Sequence, residues 1–131
     1  MSGSEEKTIP EGGKENLVQV KSYAFAVRVV NLYKDIISRH REYALGKQIL
    51  RAGTSIGANV EETIGAQSDR DFVAKLSIAY KEAREASYWL RLLHDTGYLQ
   101  HRIFQSMSSD CEELKRLLYS IINTSRKKLA N

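Results

Sequence analysis

The side chains best suited to chemistry are three histidines, one cysteine and two glutamates close in sequence: His40, His94, His101, Cys111, Glu82 and Glu85. On a helix Glu82 and Glu85 share a face, which suits either a general acid and base pair or, far more commonly, a structural ion pair. A di-iron carboxylate centre in a helical bundle needs Glu-x-x-His on two helices. The residues three before His40, His94 and His101 are Ile37, Arg91 and Tyr98, so that motif is absent. Cys111 has no second cysteine for a disulfide or a zinc site, and no glycine-rich phosphate loop occurs. No histidine falls at the centre of an apolar stripe, where an axial haem ligand would be wanted. Cys111 itself does fall on one, as a small core hydrophobe would. These residues predict no enzyme, no cofactor, no metal and no small-molecule substrate.

The basic residues permit a different chemistry. Lys21, Arg28 and Arg39 share a face of the first helical stretch, and Arg126, Lys127 and Lys128 close the last. Such side chains bind phosphate without reading base sequence, and a solvated polar face is the plainer use of them. The net charge of +4 is unevenly spread. Residues 1–16 carry −2, residues 17–43 and 98–131 carry +3 each, and residues 69–95 hold five basic and five acidic side chains. In an oligomer a weak basic patch is repeated, and its effective strength multiplies.

The elements that position these residues are legible from periodicity. The first sixteen residues are polar, contain Pro10 and Gly12-Gly13, and predict a disordered tail. From Leu17 onward four long stretches show helical spacing, broken near Arg39–Tyr43, Gly65–Ser68 and Asp95–Gln100. In the first stretch Tyr23, Ala26, Val30, Tyr33 and Ile37 form one apolar line, and Phe25, Val29, Leu32 and Ile36 form another. Together they cover about half the circumference, more than the stripe of about 100° that one core requires. The surplus line predicts a second contact, between subunits.

The second stretch carries Leu45, Ile49, Ala52, Gly53, Ile56, Val60 and Ile64, with Gly53 and Gly57 implying close backbone approach, either to this chain or to a docked partner helix. The third opens on Ser68 as a cap, with Asp71 as a short capping-box partner, and continues through Phe72, Leu76, Ala79, Ala83, Ala86, Leu90 and Leu93. Beside that stripe, Ile78, Glu82, Glu85, Trp89 and Leu92 mark a polar seam or contact surface, and Gly97 supplies the stop. The fourth repeats through Phe104, Met107, Cys111, Leu114, Leu118, Ile121 and Ser125. Short connections make neighbouring helices antiparallel, so the fold class is all-α, an up-down-up-down four-helix bundle spanning residues 17–131.

Composition agrees: 131 residues, 42% hydrophobic and 27% charged, with one Pro and eight Gly, suit one helical domain and disfavour a turn-rich β design. No run of eighteen apolar residues and no apolar leader core is present. The expectation is therefore a cytoplasmic protein without a membrane partner.

Two segments resemble a known family. They are Gln48-Ile49-Leu50-Arg51-Ala52-Gly53-Thr54-Ser55-Ile56-Gly57-Ala58-Asn59-Val60-Glu61-Glu62, and Asp71-Phe72 followed by Ile78-Ala79-Tyr80-Lys81-Glu82-Ala83-Arg84-Glu85, with Gly97-Tyr98-Leu99 after them. They are similar to the four-helix-bundle proteins encoded by intervening sequences of bacterial 23S ribosomal RNA genes, over about residues 20–125. The resemblance implies a homo-oligomer, pentameric in relatives, without catalytic activity. A similar bundle, the accessory protein of diversity-generating retroelements, binds nucleic acid and a reverse transcriptase. Gly57 stands where the family pattern has Pro, and Tyr80-Lys81-Glu82 replaces a small pair.

Arg51, Ser55, Asn59 and Glu62 lie along one side of the second helix, and Arg51 is placed to meet Glu85 and Glu82 across the helix pair. The reading is a homo-oligomeric scaffold that binds RNA or a nucleic-acid-processing protein. Its alternative is a protein-protein adaptor that accepts a partner helix on the small-residue surfaces of the second and third helices.

Overall fold

The computed structural model describes residues 13–130. Four helices run in sequence: α1 (Gly13–His40), α2 (Tyr43–Glu62), α3 (Asp69–Asp95) and α4 (His101–Ala130), with a 3-10 turn at Thr63–Gly65. Consecutive helices pack against each other and α4 returns beside α1, which is the up-down bundle its short links dictate. Helix α1 begins at Gly13, so residues 13–16, expected within the tail, form its first turn; the remainder of that segment lies outside the described residues.

Each link has its own stop signal. At the end of α1, Arg41 takes a left-handed conformation (φ 52°) and its N–H donates to the Ile37 carbonyl at 3.0 Å. Glu42 then caps α2, its carboxylate accepting the Leu45 N–H at 2.9 Å. Ser68 caps α3 by accepting the Asp71 N–H at 3.0 Å, and the Asp71 carboxylate reaches back to the Gln67 N–H at 3.1 Å. Lys75, bonded to that carboxylate, and the Gln67 N–H hold Asp71 below the ordinary aspartate range. The stabilisation this gives is present above that range and fades as pH falls through the lowered value. Helix α3 ends in a Schellman motif: Gly97 (φ 89°) donates to the His94 carbonyl at 3.2 Å and Tyr98 to the Leu93 carbonyl at 2.9 Å.

The core is built from Phe25, Val29, Leu32 and Ile36 of α1, Ile49, Ala52, Ile56 and Val60 of α2, and Leu76, Ala79, Ala83, Ala86, Leu90 and Leu93 of α3. Met107, Cys111, Leu114, Leu118, Ile121 and Ile122 of α4 join it, with Val18, Val73 and Leu99. Burying each large aliphatic side chain is worth about 1.5–3 kcal/mol against the entropy of ordering it. The stripes expected in α2, α3 and α4 face this core, except that Ile64 is exposed in the 3-10 turn.

Helix α1 shows which of its two apolar lines faces inward. The Phe25 line is buried; of the other line only Tyr23 is exposed, at 72%, whereas Ala26, Val30, Tyr33 and Ile37 are half-buried. Tyr33 lies beside Gly46 of α2, so most of the line expected to meet another subunit is spent within the chain. The small residues of α2 account for this choice. A Cβ at Gly53 would stand 2.6 Å from Val29 Cγ2, and one at Gly57 would stand 3.3 Å from the Ser22 carbonyl oxygen. The glycine surface of α2 is thus filled by α1 of the same chain, and Ala79, Ala83 and Ala86 of α3 are wholly buried. Both small-residue surfaces on which the adaptor alternative depends are taken up by the chain's own core.

Beside the seam between α1 and α4 lies an open cleft of about 710 Å³, walled by Arg28, Leu32, Asp35 and Arg39 on one side and Tyr98, Leu99, Ile103 and Met107 on the other.

Candidate functional site

Three surfaces gather the charged side chains. The first lies between α2 and α3. Arg51 projects from α2 and its guanidinium joins two carboxylates one turn apart on α3, with Nη1 3.2 Å from Glu82 Oε1 and Nη2 bonded to Glu85 Oε1. The hydrogen bond to Glu85 raises the already high pKa of Arg51, with Glu82 adding to the effect. One side chain therefore links two carboxylates, rather than gripping Glu85 alone with both nitrogens. Ser55 and Asn59 do not reach across: Ser55 Oγ donates to the Arg51 carbonyl at 2.6 Å, and the Asn59 amide donates to the Ser55 carbonyl at 2.8 Å. Glu62 is exposed at the end of α2.

Arg51 is about half exposed, whereas the Glu82 side chain is only 12% exposed. Replacing Arg51 with Met is expected to leave the fold intact and to cost about 1 kcal/mol, the upper end for a solvated pair, which lowers the melting temperature by about 3 °C. Calorimetry of the variant checks this, and an unchanged transition would show that the seam contributes nothing to stability.

The second surface holds the basic face of α1. Because the Phe25 line faces inward, Lys21, Arg28 and Arg39 flank the α4 seam. Lys21 Nζ lies 3.2 Å from Glu113, Arg28 Nη1 lies 2.6 Å from Asp110, and Arg39 Nε lies 2.6 Å from Asp35 of its own helix. Each of these cations meets a carboxylate, which subtracts from its pull on phosphate. Arg126, Lys127 and Lys128 are exposed in the last turns of α4, and no carboxylate of the described residues pairs with them.

The third surface lies on the outer side of α3 against α4, where sequence reasoning marked no basic residue. Lys81, Arg84, Tyr88 and Arg91 recur at a spacing of three, four and three, placing them on one face of α3. With Tyr80, Ser87 and Lys115 they border a shallow cleft of about 540 Å³ whose sole carboxylate, Glu85, is engaged by Arg51. The Arg91 guanidinium lies 5.8 Å from the centre of the Tyr88 ring. The Tyr80 ring is 6.0 Å from that of Tyr119. Lys115 is bonded to Glu112 at 3.1 Å, leaving Lys81, Arg84 and Arg91 as its unpaired cations among the described residues.

The 23S rRNA-intervening sequence protein family matches residues 14–120, which takes in the first three helices and most of the fourth. The chain belongs to this family. A solved relative is a protein of unknown function from the S23 ribosomal protein family of Bacteroides thetaiotaomicron. It is 51% identical, with a TM-score of 0.82, over 84% of this chain and 98% of that one. No curated protein matches the chain.

Among the described residues no group of three or more His, Cys, Asp or Glu side chains could hold a metal ion. Cys111 is fully buried, its Sγ lies 3.3 Å from the Ala83 carbonyl, and burial pushes its thiol up to about 12. Against an ordinary thiol, the thiolate population at pH 8 falls about a thousandfold. Iodoacetamide is therefore expected to label Cys111 only after denaturation, read by mass spectrometry, and prompt labelling of the native protein would contradict this burial. None of the described helices is long and apolar enough to cross a membrane. The chain is a helical-bundle module of its family.

Proposed function

We propose that this module is a homo-oligomeric scaffold that binds RNA through the cleft between α3 and α4. The observation that carries the reading is the pairing of Lys81, Arg84 and Arg91 with the tyrosines 80 and 88 around that cleft. Cations there attract the phosphate backbone, while tyrosine rings give unpaired bases a stacking face, so single-stranded segments are favoured over duplex. Arg126, Lys127 and Lys128 extend the positive field about 16 Å further along α4. Lys21, Arg28 and Arg39 contribute less because their charge is met by carboxylates.

Self-association is supported by an exposed apolar line on α1 that shares only Tyr23 with the line expected from periodicity. Val20, Tyr23 and Val27 are 67%, 72% and 45% exposed, and their spacing puts them on one side of the helix. A bundle this small has little reason to present such a line to water unless another copy covers it. The family resemblance favours five copies, which would present the cleft five times, and repetition would strengthen contacts that are weak singly.

Titration of nuclease-treated protein against a labelled single-stranded RNA and a duplex DNA, from 50 to 200 mM salt, tests the reading. Binding is expected to prefer the single strand and to weaken steeply with salt. Removing Arg84 and Arg91 together should flatten the logarithmic salt slope by about 1.4 for each cleft engaged on a strand. Absence of binding at the lowest salt would refute an RNA role, and an unchanged slope would move the contact away from this cleft.

A further inference from the structure

At the opposite end of the bundle from Gly13, the last turn of α3 and the first residue of α4 bring two imidazoles together, with ring centroids 5.1 Å apart and planes tilted by 44°. His94 Nε2 lies 3.1 Å from His101 Nδ1, across the five-residue link that joins the helices. On its other side His94 Nδ1 lies 3.0 Å from Asp95 Oδ1. The His94 ring is stacked on Phe104, with centroids 4.2 Å apart and planes 13° from parallel. The His94 side chain is 25% exposed, and His101 beside it is exposed.

We propose that His94 and His101 form a surface site for a divalent transition ion of the zinc, nickel and copper class. Two imidazole nitrogens bound to zinc lie about 2.0–2.1 Å from the metal, and at angles from 90° to tetrahedral this sets them about 2.9–3.4 Å apart. The observed 3.1 Å falls within that window. The tautomer follows from Asp95. A carboxylate accepting from Nδ1 puts the His94 proton there, so Nε2 accepts the His101 Nδ1–H in the metal-free protein. With the His101 proton moved to its Nε2, an ion takes the place of that hydrogen, and Asp95 becomes the outer carboxylate that orients a metal-bound histidine. Imidazole ligands select the zinc, nickel and copper group over calcium or magnesium, which take oxygen. Phe104 holds the first ring in place, so little freedom is lost when an ion binds.

Water completes the coordination, which fits a site with two protein ligands and makes it a clip rather than a catalytic centre. The ion fastens the end of α3 to the start of α4, so binding favours the folded bundle by mass action. His94 lies one turn beyond Arg91 on α3, and the site's test does not depend on RNA binding.

Calorimetric titration of the untagged full chain with zinc chloride and with nickel chloride tests the site. One ion per chain is expected, with at least a tenfold loss of affinity in His94→Gln and in His101→Gln and about a tenfold loss in Asp95→Asn. Saturating zinc should raise the melting temperature by about 5 °C in the parent chain and leave that of His101→Gln unmoved. Nitrogen-15 spectra should show zinc perturbing His94 Nε2 and His101 Nδ1 more than the other ring nitrogen of each. His40→Gln is expected to bind as the parent does. No binding at millimolar zinc, or binding equally strong in both glutamine variants, overturns the proposal, as does dependence on His40.

Discussion

A single methyl group added at Gly53 is expected to destabilise the bundle by about 2 kcal/mol and to lower its melting temperature by about 7 °C. The new Cβ would stand 2.6 and 2.8 Å from the two γ-methyl carbons of Val29 and 3.1 Å from its Cβ. Val29 cannot yield easily: it is fully buried, and a β-branched side chain on a helix has one strongly preferred rotamer. The helices must part, at a cost of up to about 3 kcal/mol, and the better helix propensity of alanine returns about 1 kcal/mol. The double variant Gly53→Ala, Val29→Ala separates these effects. With the valine shortened, the Gly53 substitution should become neutral or favourable, giving a coupling of at least about 2 kcal/mol in a thermodynamic cycle. Additive losses would mean that the two residues do not constrain the helix spacing as described.

Glutamate in place of Val27 is expected to reduce the sedimenting species to a single chain of 14.9 kDa. Within one chain Val27 is 45% exposed, so the substitution leaves the core intact and should change monomer stability by no more than about 0.5 kcal/mol. In an assembly that covers the Val20, Tyr23 and Val27 line, each interface would enclose an unpaired carboxylate, at a cost of several kcal/mol. Gln105→Glu introduces the same charge on the exposed face of α4 and should leave the mass unchanged. Velocity sedimentation decides the matter. A parent protein that sediments as one chain, or a Val27 variant that keeps the parent's mass, would remove this surface as an interface.

The helices and their stops were legible because each signal is local. Ser68 caps through its own side chain, Gly97 ends α3 through its own backbone freedom, and the heptad-like stripes of α2 to α4 leave one side apolar. The inward line of α1 was not legible, because both of its lines are apolar and periodicity gives no preference between them. Packing against Gly53 and Gly57 makes that choice, and it depends on the register of two helices rather than on either alone.

The charged surfaces show the same limit. The acidic partners of Lys21 and Arg28 lie about ninety and eighty residues away on α4, so no spacing rule connects them. The basic face of α3 was hidden by arithmetic: residues 69–95 hold equal numbers of acidic and basic side chains. Its cations Lys81, Arg84 and Arg91 border the cleft beside α4, whereas Glu82 and Glu85 are bonded to Arg51. A neutral segment can therefore carry a polarised helix. The spacing of Lys81, Arg84, Tyr88 and Arg91 was the available signal for it.

With four antiparallel helices, the start of α1 and the end of α4 stand at the same pole, where the Lys14 ammonium donates to Ser120 at 2.8 Å. The hairpin links at Arg41–Glu42 and Thr96–Gln100 occupy the other pole. Two such bundles translated in tandem would therefore sit side by side, with entry and exit at a shared base. A short linker would suffice for gene duplication to yield a fused pair, since the connecting chain would not have to run the length of a bundle.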